Sequence, residues 1–460
     1  MKIIIALIAV GLIFYISCLD WRRSVKAVLI LVVIEGALRK WVLPQASELI
    51  YFLKDIVLFG AYLQYFALSH SRRKFTTIKR PFIQIWLFIG FGWCLFHAFN
   101  PSLGSPVVGV WGLRNYFYYV PLIWMLPNIF QSEEELYIFL RSYLLIMIPV
   151  GILGIAQFFS PASSPINLYA PGLETTSGIA TLGVSNIVRI TGTFSYINTY
   201  VCYLLVCFGL LITLVSKRQL AMWRQIAVFE IILVVINSFM TGSRASVFTN
   251  IIFLIGYICI KSFIQFSSIL SFFKWVIPAT IVVSSSVLLF FQEKINLILA
   301  RILFTKDLYI RIRNIFTGPL EYVKIKQLDG FGPGATHQAT GLLRRVMNLP
   351  SGEVIPVGYE SETGRIILEI GPIGFMFWYG LRIAIMIALL MLVWKLKRPF
   401  LRNLALVAFL IQLIWLPGQL VFNNILAVYY WFLSGFIFLL PYLEQVETWR
   451  QHQQLLQSYE

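Results

Sequence analysis

Charged side chains are scarce in this sequence, at 12% of its 460 residues, and only 20 of them are Asp or Glu. A soluble domain carries about twice that share on its surface, so a water-soluble globular fold is excluded. Cysteine is sparse too. Cys18, Cys94, Cys202, Cys207 and Cys259 lie in or beside apolar runs and form no C-x-x-C pair, which leaves zinc and disulfide frameworks without support. No period of about 20–50 residues recurs, which removes solenoids, and no linker-like stretch splits the chain. The first apolar run, 3–19, lacks a small-residue cleavage site and precedes Arg22-Arg23, so it reads as a retained span.

What is abundant is apolar surface: 59% of residues are hydrophobic and the mean hydropathy is +0.80. Repeated apolar runs of about 17–25 residues predict an all-α polytopic membrane protein. About thirteen runs stand out. They fall near 3–19, 26–43, 49–69, 81–99, 115–130, 136–159, 195–216, 226–240, 245–260, 275–291, 366–394, 403–416 and 421–441. The expectation is therefore about 12–13 transmembrane helices in one integral domain over 1–460. The net charge of +17 would suggest nucleic acid in a soluble protein. Here the basic residues cluster in short connections instead: Arg22/Arg23/Lys26, Arg72 to Arg80, Lys217/Arg218/Arg224, Lys261/Lys274 and Lys395 to Arg402. Such clusters are cytoplasmic topology signals, which predicts an outside N-terminus and an inside C-terminus and gives no reason to expect a nucleic-acid partner.

The turn Thr241-Gly242-Ser243-Arg244 divides what would otherwise be one overlong apolar segment, 226–260. It falls outside the cytoplasm, on the same face as the loop 160–193, which carries Arg189, and the longest loop, 292–363. In that longest loop short helices are expected over 293–304 and 308–316, the latter with Arg311 and Arg313. Arg189 and Arg244 each have a nearby glycine, Gly192 and Gly242. One reading is snorkelling to lipid phosphate. The other is a paired clamp on a phosphate or pyrophosphate, because guanidinium binds such groups through parallel hydrogen bonds.

Gly330-x-Gly332-x-Gly334 lacks the strand–helix context of a nucleotide loop and reads as a tight turn. His337 follows it, as either an exposed loop residue or a base. Glu362, Arg365 and Glu369 share one helical face, which predicts an intrahelical salt-bridge stripe. Glu360 and Glu362 stand where the chain enters the membrane, a position suited to a general base. Glu35 and Arg39, one turn apart beside Lys40, read as a self-neutralising pair, and with Lys54-Asp55 they leave a proton or ion path as the alternative.

The order of these pieces resembles the O-antigen ligase and O-antigen polymerase family of bacterial envelope glycosyltransferases. The matching pieces are Arg189-Ile190-Thr191-Gly192-Thr193-Phe194 with Asn198, then Thr241 to Arg244, Gly330 to Gly334, and Gly371-Pro372-Ile373-Gly374. They cover roughly 185–395. The resemblance implies a glycosyltransferase C-like membrane fold that uses glycans carried on undecaprenyl pyrophosphate at the periplasmic face of the bacterial inner membrane. It also implies metal-independent, inverting transfer without a cofactor, with Arg189 and Arg244 holding the pyrophosphate. The acceptor would be a glycan, lipid or protein hydroxyl. Ligases place a histidine where this chain has Glu360-Ser361, so Glu360 is expected as the base, with Glu362 or His337 as substitutes and Arg365 nearby. The rival readings are a transporter or flippase of lipid-linked oligosaccharide and a non-catalytic part of an envelope polysaccharide complex.

Overall fold

The computed structural model describes residues 2–68, 81–171, 181, 187–217, 219–264 and 307–457, with backbone alone over 2–6, 307–312 and 314–316. The expected span 275–291 and the expected helix 293–304 lie outside the described residues, as do Arg72 to Arg80. The described chain is helical throughout. Its helices are α1 (Lys2–Leu19), α2 (Trp21–Ala37), α3 (Ser47–Tyr51), α4 (Leu53–Tyr62), α5 (Pro81–His97) and α6 (Pro106–Phe117). They continue with α7 (Leu122–Met125), α8 (Glu133–Leu144), α9 (Met147–Phe159), α10 (Ile197–Ser216), α11 (Ala221–Met240) and α12 (Arg244–Ile264). The remainder are α13 (Asp307–Lys326), α14 (Thr340–Val346), α15 (Glu362–Lys395), α16 (Pro399–Ile414), α17 (Asn424–Ser434) and α18 (Phe436–Gln457).

Among the described residues, seven segments are long and apolar enough to cross a membrane: Pro44–Leu68, Glu133–Phe159, Ile197–Ser216, Ala221–Met240, Arg244–Ile264, Glu362–Lys395 and Asn424–Gln457. Shorter apolar helices cover Leu7–Leu19, Pro81–His97 and Pro399–Ile414. The protein is a multi-pass membrane protein. Helix α10 is central, with 83% of its apolar window buried, whereas α12 at 22% lies on the periphery. Two expectations need correction. The run 115–130 is not one helix, because Pro121 and Pro127 break it into α6, α7 and a 3-10 turn. The helix expected over 308–316 continues to Lys326, straight through Gly318-Pro319.

One end of the bundle gathers the basic connections that are described. Ser132 caps α8, and its acidic first turn Glu133-Glu134-Glu135 receives Arg398 (2.5 Å), Lys217 (3.3 Å) and Lys26 (2.9 Å). Carboxylates at a helix N-terminus also complement the helix dipole. Arg22 reaches the Asn128 carbonyl, and Glu444 accepts from the Lys397 and Arg398 amides, at that same end. The opposite end collects the connections around 38–47, 98–105, 160–171, 187–196, 241–244, 327–361 and 415–423.

The sharpest feature of the fold lies inside α15. Pro372 offers no N–H to the Leu368 carbonyl, and Gly371 adopts φ 67°, ψ 176°, which interrupts the helix. Glu362 and Arg382 nonetheless form an ion pair at 2.8 Å. A straight helix would hold them about 30 Å apart. The break therefore folds a short arm, 362–370, back against the long arm, 372–395. The short arm is buried along its whole length. The expected single span 366–394 is thus two arms meeting at a vertex.

Candidate functional site

Three carbonyls at the vertex accept hydrogen bonds from outside the helix. Leu368 O accepts from Phe331 N (2.6 Å), Glu369 O from Gly332 N (2.7 Å) and Ile370 O from the Trp93 indole (2.8 Å). The segment 330–334 can come this close because Gly330, Gly332 and Gly334 all take positive φ. Gly330 has no room for a Cβ, which would sit 2.7 Å from the Glu369 carbonyl. The triple-glycine run is therefore a latch that completes the bend of α15. This agrees with the tight-turn reading and gives the turn a purpose that spacing could not reveal.

Beyond the latch, Thr336 is fixed from two sides. The Glu369 carboxylate accepts from the Thr336 amide (3.0 Å), the Thr336 hydroxyl (2.8 Å) and the Tyr116 hydroxyl (3.0 Å). Arg365 donates to the Thr336 carbonyl and stacks over Phe422, 3.7 Å from its ring centroid. The expected stripe of Glu362–Arg365–Glu369 salt bridges does not form. Each residue faces a different partner because the fold-back brings Arg382 and the loop 327–337 closer than the next helical turn.

These supports frame a cavity of about 810 Å³, lined by Thr336, His337, Arg344, Glu353, Tyr359, Glu360, Arg365 and Gln419 among others. Three residues singled out from sequence, His337, Glu360 and Arg365, thus meet in one space. Glu360 is exposed, and its backbone carbonyl accepts from Gln419 (3.3 Å). Glu362 does not line the cavity. It is fully buried, with one carboxylate oxygen on Arg382 and the other on the Val421 amide at 3.0 Å. Arg382 in turn holds the Trp415 carbonyl, so the pair anchors the connection that carries Gln419 and Phe422.

His337 packs against Trp111 and Phe422. Burial, followed by the charges of Arg365 and Arg114, pushes its imidazole down to about 3. Its Nδ1 accepts from the Ala339 amide (3.1 Å), so the neutral ring carries its proton on Nε2. His337 is therefore a hydrogen-bond donor toward its surroundings and is poorly suited to act as a base.

Arg189 and the Thr241-Gly242-Ser243-Arg244 turn come together elsewhere at this end of the bundle. Arg189 Nε donates to the Thr241 carbonyl (3.1 Å), and Ile190 N approaches the Met240 carbonyl (3.4 Å). Gly242, at φ 59°, makes the turn into α12, whose first residue is Arg244. Arg244 is half-buried and forms no ion pair or side-chain hydrogen bond among the described residues. Neither arginine lines the cavity around Glu360.

The segment bearing Arg189 is pinned by residues whose role the sequence did not disclose. Gln157 Oε1 accepts from the Thr191 and Gly192 amides (3.3 and 2.8 Å). Lys40 Nζ donates to Thr191 Oγ1 and the Gly192 carbonyl, each at 2.9 Å, and Arg39 donates to Ser195 Oγ (3.1 Å). Arg39 does lie near Glu35 (3.7 Å), as the pair reading expects. The closer partner of Glu35 is Lys54, at 2.7 Å, and Asp55 pairs with Arg114. Among the described residues, no three His, Cys, Asp or Glu side chains converge as metal ligands would. No protein-family profile, curated protein or solved structure matches this chain.

Proposed function

We propose that this protein is a membrane glycosyltransferase that moves a glycan from a polyprenyl pyrophosphate, undecaprenyl in a bacterial inner membrane, to an acceptor hydroxyl at the loop end of the bundle. The observation that carries this reading is the bond from Arg189 to the Thr241 carbonyl, which seats the first arginine on the turn that bears the second. Two guanidinium groups at one turn suit a diphosphate. The polar cavity at the same end supplies a carboxylate, Glu360, in a setting open to an acceptor.

In the proposed step Glu360 takes the proton of the acceptor hydroxyl, and the oxygen attacks the anomeric carbon. The bond from that carbon to the pyrophosphate oxygen breaks, and its electron pair leaves with the pyrophosphate. Arg189 and Arg244 stabilise the charge that builds on the leaving group, commonly the largest catalytic term. The configuration at carbon inverts because the acceptor attacks directly. Nε2 of His337 would donate a hydrogen bond that orients a hydroxyl. The donor is a lipid-linked glycan and the acceptor a glycan, lipid or protein; no cofactor enters the step.

The test uses purified protein in lipid nanodiscs with a lipid-linked repeat unit, and gel sizing of the products. A ladder means polymerisation, and a single addition means ligation. Arg244→Ala should lower either by about 10²-fold or more. In cells the same variant should leave lipid-linked units accumulated on the outer leaflet. Units trapped on the inner leaflet, with no transfer in vitro, would refute the enzyme in favour of transport.

A further inference from the structure

The outer lip of the cavity is apolar although its interior is polar. Val354 and Ile355 line the opening, and Val354 is 84% exposed. At the end of α14, just after the lining residue Arg344, Val346 and Met347 are 72% and 51% exposed, next to an exposed Arg345. Apolar side chains clustered at an exposed tip mark a contact surface.

What covers this tip is indicated by what it is fastened to. Arg344 donates to the Leu103 carbonyl (2.9 Å) and Glu353 N to the Ser102 carbonyl (2.8 Å), while Gly352 packs on the same two carbonyls. The segment 101–103 follows Phe99 after one residue, Asn100, and leads into α6. Phe99 is 64% exposed, and it ends a stripe along α5 of Phe82, Ile85, Phe88, Ile89 and Phe96. That stripe has helical spacing and no charge, as expected of a face turned to lipid chains. On the other side Val107 and Val110 of α6 are exposed as well. The apolar tip thus continues the lipid-facing belt at its loop end. Arg345, a basic residue beside exposed aliphatics, has the composition of a segment that lies in the headgroup layer.

We infer that residues 345–355 rest in the headgroup layer of the bilayer, so that the cavity opens at the membrane surface rather than into bulk water. Lateral entry then suits a ligand with a polar head and a lipid tail. This consequence rests on the transfer reading, but the placement of the tip does not.

The experiment places a bimane label on Met347→Cys in a Cys18→Ser, Cys259→Ser background. Phe96→Cys serves as lipid-facing reference and Gln453→Cys as aqueous reference. Each protein is reconstituted in nanodiscs of phosphatidylethanolamine and phosphatidylglycerol, with or without a nitroxide on the acyl carbon nearest the headgroup. The label at 347 should be quenched about two-fold or more, with an emission blue-shifted from that at 453. Emission like that at 453, with no quenching, overturns the inference. If the label at 347 perturbs folding, the same label on Val346→Cys, which is 72% exposed, gives the same two outcomes. No turnover enters either measurement, so failure here leaves the transfer proposal standing, and absence of transfer leaves this one standing.

Discussion

Glu360 and Glu362 are near neighbours in sequence with opposite surroundings. Glu360 faces the cavity, whereas Glu362 is sealed between Arg382 and the Val421 amide. Their neutral amide variants should therefore fail differently. Glu360→Gln should leave melting temperature unchanged and reduce transfer by about 10²–10⁴-fold, the usual worth of a general base. Glu362→Gln should cost about 3–5 kcal/mol, because it leaves the buried Arg382 charge uncompensated. Thermal denaturation in nanodiscs, run beside the transfer assay, separates the two. His337 supplies a prediction in pH. Its folded-state value is about 3, below the ordinary one of about 6.5, so the fold holds the neutral ring. The stabilisation is complete above the ordinary value and declines as pH falls from there toward the folded one. Histidine NMR should show one imidazole that stays neutral at pH 5, and His337→Gln should flatten the acid side of the stability curve.

Among the elements, α15 is where sequence and structure diverge most. The Gly371-Pro372 pair is visible in the sequence, and a proline inside a helical pattern announces a kink. The extent of the bend was not legible, because it depends on donors from remote segments, the latch amides and the Trp93 indole. The same remoteness explains the salt-bridge stripe that did not form: helical spacing can nominate partners three or four residues away, but not Arg382. Gly371→Ala should be severe. Its φ is positive, and an added Cβ would sit 2.1 Å from the Leu328 carbonyl. Limited proteolysis across 327–361 should accelerate in that variant, and the melting temperature should drop. Trp93→Phe removes the hydrogen bond to the Ile370 carbonyl and shrinks the ring packed on His97 and Phe377, so it should lower the melting temperature.

For the whole molecule, composition and apolar periodicity were sufficient to indicate a helical membrane protein. The described basic connections gather at one end, where Arg22, Lys26, Lys217 and Arg398 meet the acidic start of α8 or its approach. Less readable were the cations with structural duties at the other end. Lys40 looks like any basic residue after an apolar run, and only the fold shows it gripping Thr191 and Gly192. Cysteines at Ser163 and at Gln453, both exposed, should react with a membrane-impermeant maleimide from opposite sides of intact vesicles, with 453 on the side of the basic connections. Labelling of both from the same side would contradict the two-ended arrangement.

The fold-back of α15 also constrains how the protein is made. The ribosome delivers the glycine latch before the vertex it fastens, so the bend cannot lock until Gly371 and Pro372 follow. A nascent chain halted between them has the latch without the vertex it fastens, and most of the cavity wall without Arg365.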